Sequence, residues 1–174
     1  QFKAVIPGGS SAKILRFGER FKGKRKVGPD MIDYDWGVED VPMDFDSLKK
    51  AGTGLGSAGT IVIDDATCMV AATLKYSNFF KNESCGQCPP CRMGTINLAT
   101  LMDKIERGEG SQKDLDSLLQ LCGFVKGTGY CTLITGAAVL VQSSLRLFQH
   151  EFEEHIRLQR CPFQPARTGA GANA

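Results

Sequence analysis

The chain has 174 residues, room for one ordinary domain or two small ones. Lys and Arg total 21 against 19 Asp and Glu, a formal net charge of +2, which lacks the excess that a nucleic-acid binder needs to hold phosphates by bulk charge. With 42% apolar and 23% charged residues the composition is globular, no apolar run reaches the roughly 18 residues of a membrane span, and the opening Gln1-Phe2-Lys3 has neither a secretory leader nor an initiator Met, so the chain reads as a fragment.

Residues 1–64 read as β-rich. Phe2-Lys3-Ala4-Val5-Ile6 is a strand candidate stopped by Pro7-Gly8-Gly9, and Ile61-Val62-Ile63 is a second, closed by Asp64-Asp65. Two strands alone are rarely stable in water, so this zone needs further chain or a partner. Between them charge is segregated: Lys13 to Lys26 carries seven bases and one acid, Asp30 to Asp46 seven acids and no base. Such a segment is either a docking surface or an insertion folded on itself by charge.

Residues 65–158 read as helices. Asp65 or Thr67 is placed to cap a helix over Cys68 to Lys81. A second, with Ile96, Leu98, Leu101, Met102 and Ile105 apolar, ends at Arg107-Gly108, where glycine suits the left-handed position after a helix. Ser111-x-x-Asp114 resembles a capping box and opens a third, through Leu115, Leu118, Leu119 and Cys122. Val141, Leu145, Phe148, Phe152 and Ile156 form one stripe of helical period and predict a single fourth helix. Four striped helices with short loops predict an antiparallel bundle. His150 and His155, five apart, do not share a face well, and Glu151, Glu153 and Glu154 read as a solvated face. Residues 159–174 hold Pro, Gly, Ala and Arg without period and are expected to be a flexible tail.

The chemistry lies in the cysteines. There are seven, an odd number that full disulfide pairing cannot absorb: Cys68, Cys85, Cys88, Cys91, Cys122, Cys131 and Cys161. Cys85-Gly86-Gln87-Cys88-Pro89-Pro90-Cys91 is C-x2-C-x2-C. Thiolates select iron–sulfur clusters or zinc, and structural zinc takes its cysteines as pairs from two segments. A triplet at this spacing wraps three corners of a cubane, as the bacterial ferredoxin run does, so iron–sulfur is favoured over zinc. Gly86 lets the backbone turn closely around the cluster, and the two prolines are expected to keep the stretch out of helix. Four cysteines compete for the fourth corner. Cys161 falls in the expected tail, and Cys68 and Cys122 sit in helices as ordinary buried thiols; Cys131, in the glycine-bearing loop Gly127-Thr128-Gly129-Tyr130 before a helix, is the favoured ligand.

Glu83 to Gly94, with its Cys-Gly-Gln-Cys-Pro-Pro-Cys-Arg, resembles the cluster motif of the flavoprotein subunit of NADH:quinone oxidoreductase (respiratory complex I), a subunit type shared with NAD-linked hydrogenases and formate dehydrogenases. Ala4 to Ser11, Pro42 to Leu48 with Gly54-Leu55-Gly56-Ser57, and Phe148 to Ile156 resemble the same family in the same order. The resemblance implies an α+β chain: a partial β-grasp (SLBB-like) domain over 1–64, then a four-helix-bundle [4Fe-4S] domain over 65–158. It implies Cys85, Cys88, Cys91 and Cys131 as ligands, with Ser84, Gly86, Gln87, Arg92 and Leu133 around the sulfurs. It further implies electron transfer from reduced FMN, with FMN and NAD(H) on an FMN/NADH-binding half outside these residues. The implied partners are a thioredoxin-like [2Fe-2S] subunit and a larger ferredoxin-like subunit. The implied place is the cytoplasm or the cytoplasmic side of the inner membrane, without insertion and without nucleic acid. The alternative is a zinc-stapled or metal-free docking module. Two stretches depart from the family: Thr132-Leu133-Ile134-Thr135-Gly136 stands where Leu-Gly-Asp is usual, leaving flavin contact uncarried, and the charged insertion is longer than expected.

Overall fold

The computed structural model describes residues 1–163, and the fold is α+β. The apolar strand β1 (Phe2–Ile6) is the centre of a three-stranded antiparallel sheet of order β2-β1-β5, flanked by β2 (Leu15–Arg16) and β5 (Ile61–Asp64). Ala4 pairs with Ile63 and Ile6 with Ile61, so the period-2 alternation turns Ala4, Ile6 and Ile63 to one face. Two glycine loops far apart in sequence meet at the end of β1. A Cβ on Gly8 would lie 2.2 Å from the Gly54 carbonyl oxygen, and one on Gly56 would lie 2.5 Å from that of Gly8. Only glycine admits backbone at that range.

The charged excursion folds on itself as a hairpin of β3 (Arg20–Val27) and β4 (Asp30–Gly37). The basic strand lies against the acidic one, with Lys24 opposite Asp33 and both Arg20 and Lys22 paired to Asp35. Gly28, at φ 60, supplies the positive dihedral that the two-residue turn Gly28-Pro29 requires. The short helix α1 (Phe45–Lys50), capped by the Asp44 side chain, closes a small core with Leu15, Val38, Val41 and Leu48.

The helical part holds five helices among the described residues: α2 (Met69–Glu83), α3 (Pro89–Glu106), α4 (Gln112–Val125), α5 (Leu133–Leu147) and α6 (Gln149–Leu158). The cap of α2 is neither Asp65 nor Thr67 but Cys68, whose Sγ accepts the Ala71 N–H at 3.4 Å. Pro89 and Pro90 do not hold the cysteine loop open. They occupy the first positions of α3, where a missing N–H costs nothing, so Cys91 lies inside the helix. Gly108, at φ 77, follows α3 as expected, and the capping box forms, with Asp114 accepting from the Ser111 N–H at 2.8 Å. The predicted fourth helix is two. The chain bends at Phe148, which packs with the sheet-facing residues, whereas Phe152 packs in the helical core. One straight helix cannot send both rings to those two cores.

The sheet is not left without a partner. Ala4, Ile6, Ile14 and Ile63 share a core with Met69, Leu140 and Phe148, and a Cβ on Gly136 of α5 would meet Ser11 Cβ at 2.6 Å. Lys3 and Glu151 fasten the same junction as a buried ion pair at 2.6 Å. Lys3 Nζ also donates to the Thr67 carbonyl, and Glu151 accepts the Met69 N–H that opens α2. Glu151 is thus buried rather than solvated.

Removing one partner of a buried pair leaves a charge uncompensated, typically at a cost of about 3–5 kcal/mol. Lys3→Met is expected to lower stability by about that amount in urea denaturation, and Lys3→Met with Glu151→Gln to cost less, because Gln still accepts from Met69 N–H. On α4, hydrogen bonds from Ser111 and Lys104 hold the Asp114 carboxyl below its usual range. A depressed folded value stabilises above the ordinary carboxylate range and is lost as pH falls through it. Asp114→Asn should therefore cost about 1 kcal/mol at neutral pH, with the gap to wild type closing in acid.

Candidate metal centre

Helix α2 ends at Glu83, with Ser84 as its cap, and α3 begins after Cys88, so the cysteine loop is a tight connection between two packed antiparallel helices. Gly86 takes φ 72 there, the left-handed conformation that permits the reversal. Cys88 caps α3 and Cys91 lies in its first turn; both are buried, while Cys85 is exposed in the loop. Ser84 Oγ lies 3.4 Å from Cys91 Sγ and accepts the Gly86 N–H.

The second stretch arrives from the start of α5. The Tyr130 backbone N–H points at Cys88 sulfur and is the main cause of that thiol being pulled below its ordinary value. A Cβ on Gly129 would lie 3.8 Å from Cys88 Sγ, so the loop passes directly over the helix start. Burial pushes the Cys91 thiol up; the Ser84 hydroxyl opposes this, while the neighbouring Cys88 and Cys131 sulfurs add to it. Cys131 itself is exposed. The triplet and the Cys131 loop, about forty residues apart in the chain, therefore meet at one end of α3.

The remaining candidate residues sort by position. Arg92 is exposed, with its Cδ 4.0 Å from where a Gly86 Cβ would stand, beside the loop. Gln87 is exposed, and Leu133 is half-buried against the helical core. Cys122 is buried on α4, its thiol pushed up to about 12 by burial, and is chemically quiet. Cys161 is not in a free tail: it is buried, and it meets Cys68 and His155 at the opposite end of α2. The rest of the expected tail lies outside the described residues. His155, whose spacing from His150 gives no hint of a shared site, is fully buried in that group.

Residues 71–155 match the family described as "NADH-ubiquinone oxidoreductase-F iron-sulfur binding region". The chain is 44% identical over 161 residues to the second of the F subunits of NADH-quinone oxidoreductase from Rhizobium meliloti (strain 1021), covering 92% of this chain and 34% of that protein. It is 42% identical over 134 residues to the F subunit of NADH-quinone oxidoreductase from Streptomyces coelicolor, covering 77% of this chain and 30% of that one. The chain thus spans about a third of the length of the curated relatives it matches. A crystal structure of NAD+-reducing [NiFe]-hydrogenase in the H2-reduced state shares the fold, with a TM-score of 0.60 at 22% identity over 93% of this chain and 23% of that one. Over residues 71–155 the chain is thus similar to the iron–sulfur binding region of the oxidoreductase F subunits. No helix among the described residues is long and apolar enough to cross a membrane.

Two glycine substitutions of opposite sign test the local backbone. Gly86→Ala forces a Cβ into the left-handed region and should cost about 1–2 kcal/mol. Gly123→Ala, on exposed α4 with open space at its Cβ, should gain up to about 1 kcal/mol from helix propensity. Urea midpoints of the two variants, displaced in opposite directions from wild type, check both.

Proposed function

We propose that this chain relays single electrons through one [4Fe-4S] cluster, as the iron–sulfur portion of an NADH-oxidising flavoprotein subunit. The observation that carries the reading is the Tyr130 N–H on Cys88 sulfur, because it brings the Cys131 loop onto the Cys85–Cys91 triplet. Cys85, Cys88, Cys91 and Cys131 would hold the cluster. The fit rests on the donors themselves: four free thiols, with backbone N–H groups and the Ser84 hydroxyl beside two of them. When bound, such a cluster takes up and releases one electron at a time, within a family range of roughly −700 to +450 mV.

The chain's own residues then set the conditions. Cys88 and Cys91 sit on the first turn of α3, where the positive end of the helix dipole favours negative charge on sulfur. The Tyr130 N–H adds a hydrogen bond to the same sulfur, which favours the more negative, reduced state. Arg92, beside the loop, acts in the same direction, so Arg92→Gln would lower the potential. Cys85 and Cys131 lie at the surface, so a donor or acceptor can approach that end closely.

The same reading assigns residues 1–64 to part of an SLBB-like β-grasp domain, supported by the sheet and the Gly8–Gly54 contact that joins two of the resembling stretches. Residues 65–158 form the cluster-binding bundle, with its edge extended past Cys161 by the burial of that residue. FMN and NAD(H) would be carried by an FMN/NADH-binding half outside these residues. The partner chains would be a thioredoxin-like [2Fe-2S] subunit and a larger ferredoxin-like subunit, in the cytoplasm or on the cytoplasmic face of the inner membrane.

Purified anaerobically, the chain is expected to be brown, with about four irons and matching acid-labile sulfide. Cys88→Ala and Cys91→Ala should abolish the electron paramagnetic resonance signal of the reduced protein, and Cys122→Ala should leave it intact. A colourless chain would identify a docking module instead, and iron that survives loss of Cys88 and Cys91 would place the metal on other residues and overturn the assigned ligands.

A further inference from the structure

Helices α2 and α3 are antiparallel, and they carry chemistry at both ends. From Cys68 to Ser84 is 16 residues, or about 24 Å at 1.5 Å per residue, and from Cys91 to Glu106 is about 22 Å. The end remote from the cysteine loop therefore holds Cys68, which caps α2, and Glu106, which closes α3. Two further residues come to it. His155 arrives on α6, and the chain then reverses through Gln159, at φ 52, to bring Cys161 inward. Gly108 makes room for that reversal: a Cβ there would lie 2.0 Å from the Gln159 carbonyl carbon.

The four ligand atoms lie within 4.8 Å of one another. His155 Nε2 is 3.2 Å from Glu106 Oε2 and 3.5 Å from Cys68 Sγ, and Cys68 Sγ is 3.9 Å from Glu106 Oε2. A tetrahedron with zinc bonds of about 2.0–2.3 Å has edges of about 3.3–3.8 Å, and these three contacts fall within about 0.1 Å of that span. His155 is set as metal-ligating histidines are: Nδ1 is 2.6 Å from the Glu151 carbonyl and donates its proton there, which turns Nε2, 3.2 Å from Glu106 Oε2, toward the other three residues as the ring's ligand atom. The group is shielded, with His155 at 0%, Cys68 at 6% and Cys161 at 7% exposure.

We propose that Cys68, Glu106, His155 and Cys161 form a structural zinc site, separate from the cluster and at the opposite end of α2 and α3. Two thiolates, one imidazole and one carboxylate fill four positions, the closed set of a structural site, and the sulfur and nitrogen donors select zinc over magnesium or calcium. Binding converts two thiols to thiolates and releases their two protons, and the proton that Nε2 shares with Glu106 leaves as well, so that His155 ligates as the neutral imidazole. Zinc is not redox-active, so the site takes no part in electron flow. Its effect is mechanical: it ties the end of the chain after α6 to the start of α2 and the end of α3.

The test uses the full chain, purified in reductant and incubated with zinc chloride. Metal analysis should find about one zinc per chain besides the iron, and X-ray absorption at the zinc edge should show two sulfurs at about 2.3 Å and two lighter ligands at about 2.0–2.1 Å. Cys161→Ala and His155→Gln should each weaken zinc binding by more than about tenfold in chelator competition with iron content unchanged, and the retained iron reports that each variant has folded. Cys88→Ala should do the converse, so loss of one site is distinguished from failure of the other. The wild-type spectrum decides even where variants fail to fold. An all-sulfur shell would place zinc on the Cys85–Cys91 loop and overturn the proposal. So would a wild-type chain that takes up no zinc, a Cys68–Cys161 disulfide that persists in reductant, or zinc binding unchanged in both variants.

Discussion

The antiparallel packing of α2 on α3 is the constraint from which the chemistry of this protein follows. Ser84 to Cys88 is too short a connection to let the second helix do anything but turn back along the first. The reversal needs Gly86 in the left-handed region, and it starts α3 on two prolines that cannot donate in a helix interior but are at home in its first turn. Once the pair is formed, the cysteines are sorted without further instruction. Cys85, Cys88 and Cys91 gather at the reversal, and Cys68 and Glu106 are carried to the far end. Small residues let the neighbours close over the pair: a Cβ on Gly94 would lie 3.0 Å from both Ile134 of α5 and Val125 of α4. That close approach also draws the loop before α5 across the start of α3.

The sheet and the helices share a core, so β1 and β5 brace the helices directly. The Lys3–Glu151 pair sits in that seam and does more than join two charges. Each partner satisfies a backbone group near the start of α2, the Thr67 carbonyl and the Met69 N–H. Such an arrangement contributes little net stability compared with an apolar pair of equal volume, but it has one good geometry and therefore fixes one register between β1, α2 and α6. That register also decides where His155 stands, one turn after Glu151 on the same helix and hydrogen-bonded to its carbonyl.

Local chemistry is readable from the residues, and convergence from distant segments is not. The Ser111–Asp114 box, the terminator at Gly108 and the strands at Phe2–Ile6 and Ile61–Asp64 each rest on a few adjacent residues. The hairpin at Arg20–Gly37 is hidden because its strands alternate charge with few apolar residues; a backbone ladder joins them, with opposed charges across the pair and Phe21 and Trp36 packed on the small core. The break at Phe148 has no proline or glycine to announce it; two separate cores pull Phe148 and Phe152 apart. Glu151 and His155 escape sequence reasoning for one cause. Helical periodicity ranks residues by the face of their own helix, whereas these two are buried by the strand, the helix start and the final turn that close over α6.

Burial then decides what each sulfur can do. Cys122, enclosed by apolar neighbours on α4, stays a protonated thiol at neutral pH and serves as a small core residue. Cys88 is also shielded from solvent but faces an N–H donor at a helix start, and that hydrogen bond outweighs the penalty of burial on its charge. Cys85 and Cys131 are left open to solvent at that end, as an electron relay requires if its partner is to come near. At the other end no sulfur is open, and the donors there include an imidazole already oriented by its own helix. An exposed thiol-rich end beside an enclosed mixed-donor end is the distribution expected when one end must exchange electrons with a neighbour and the other only has to keep three helices together.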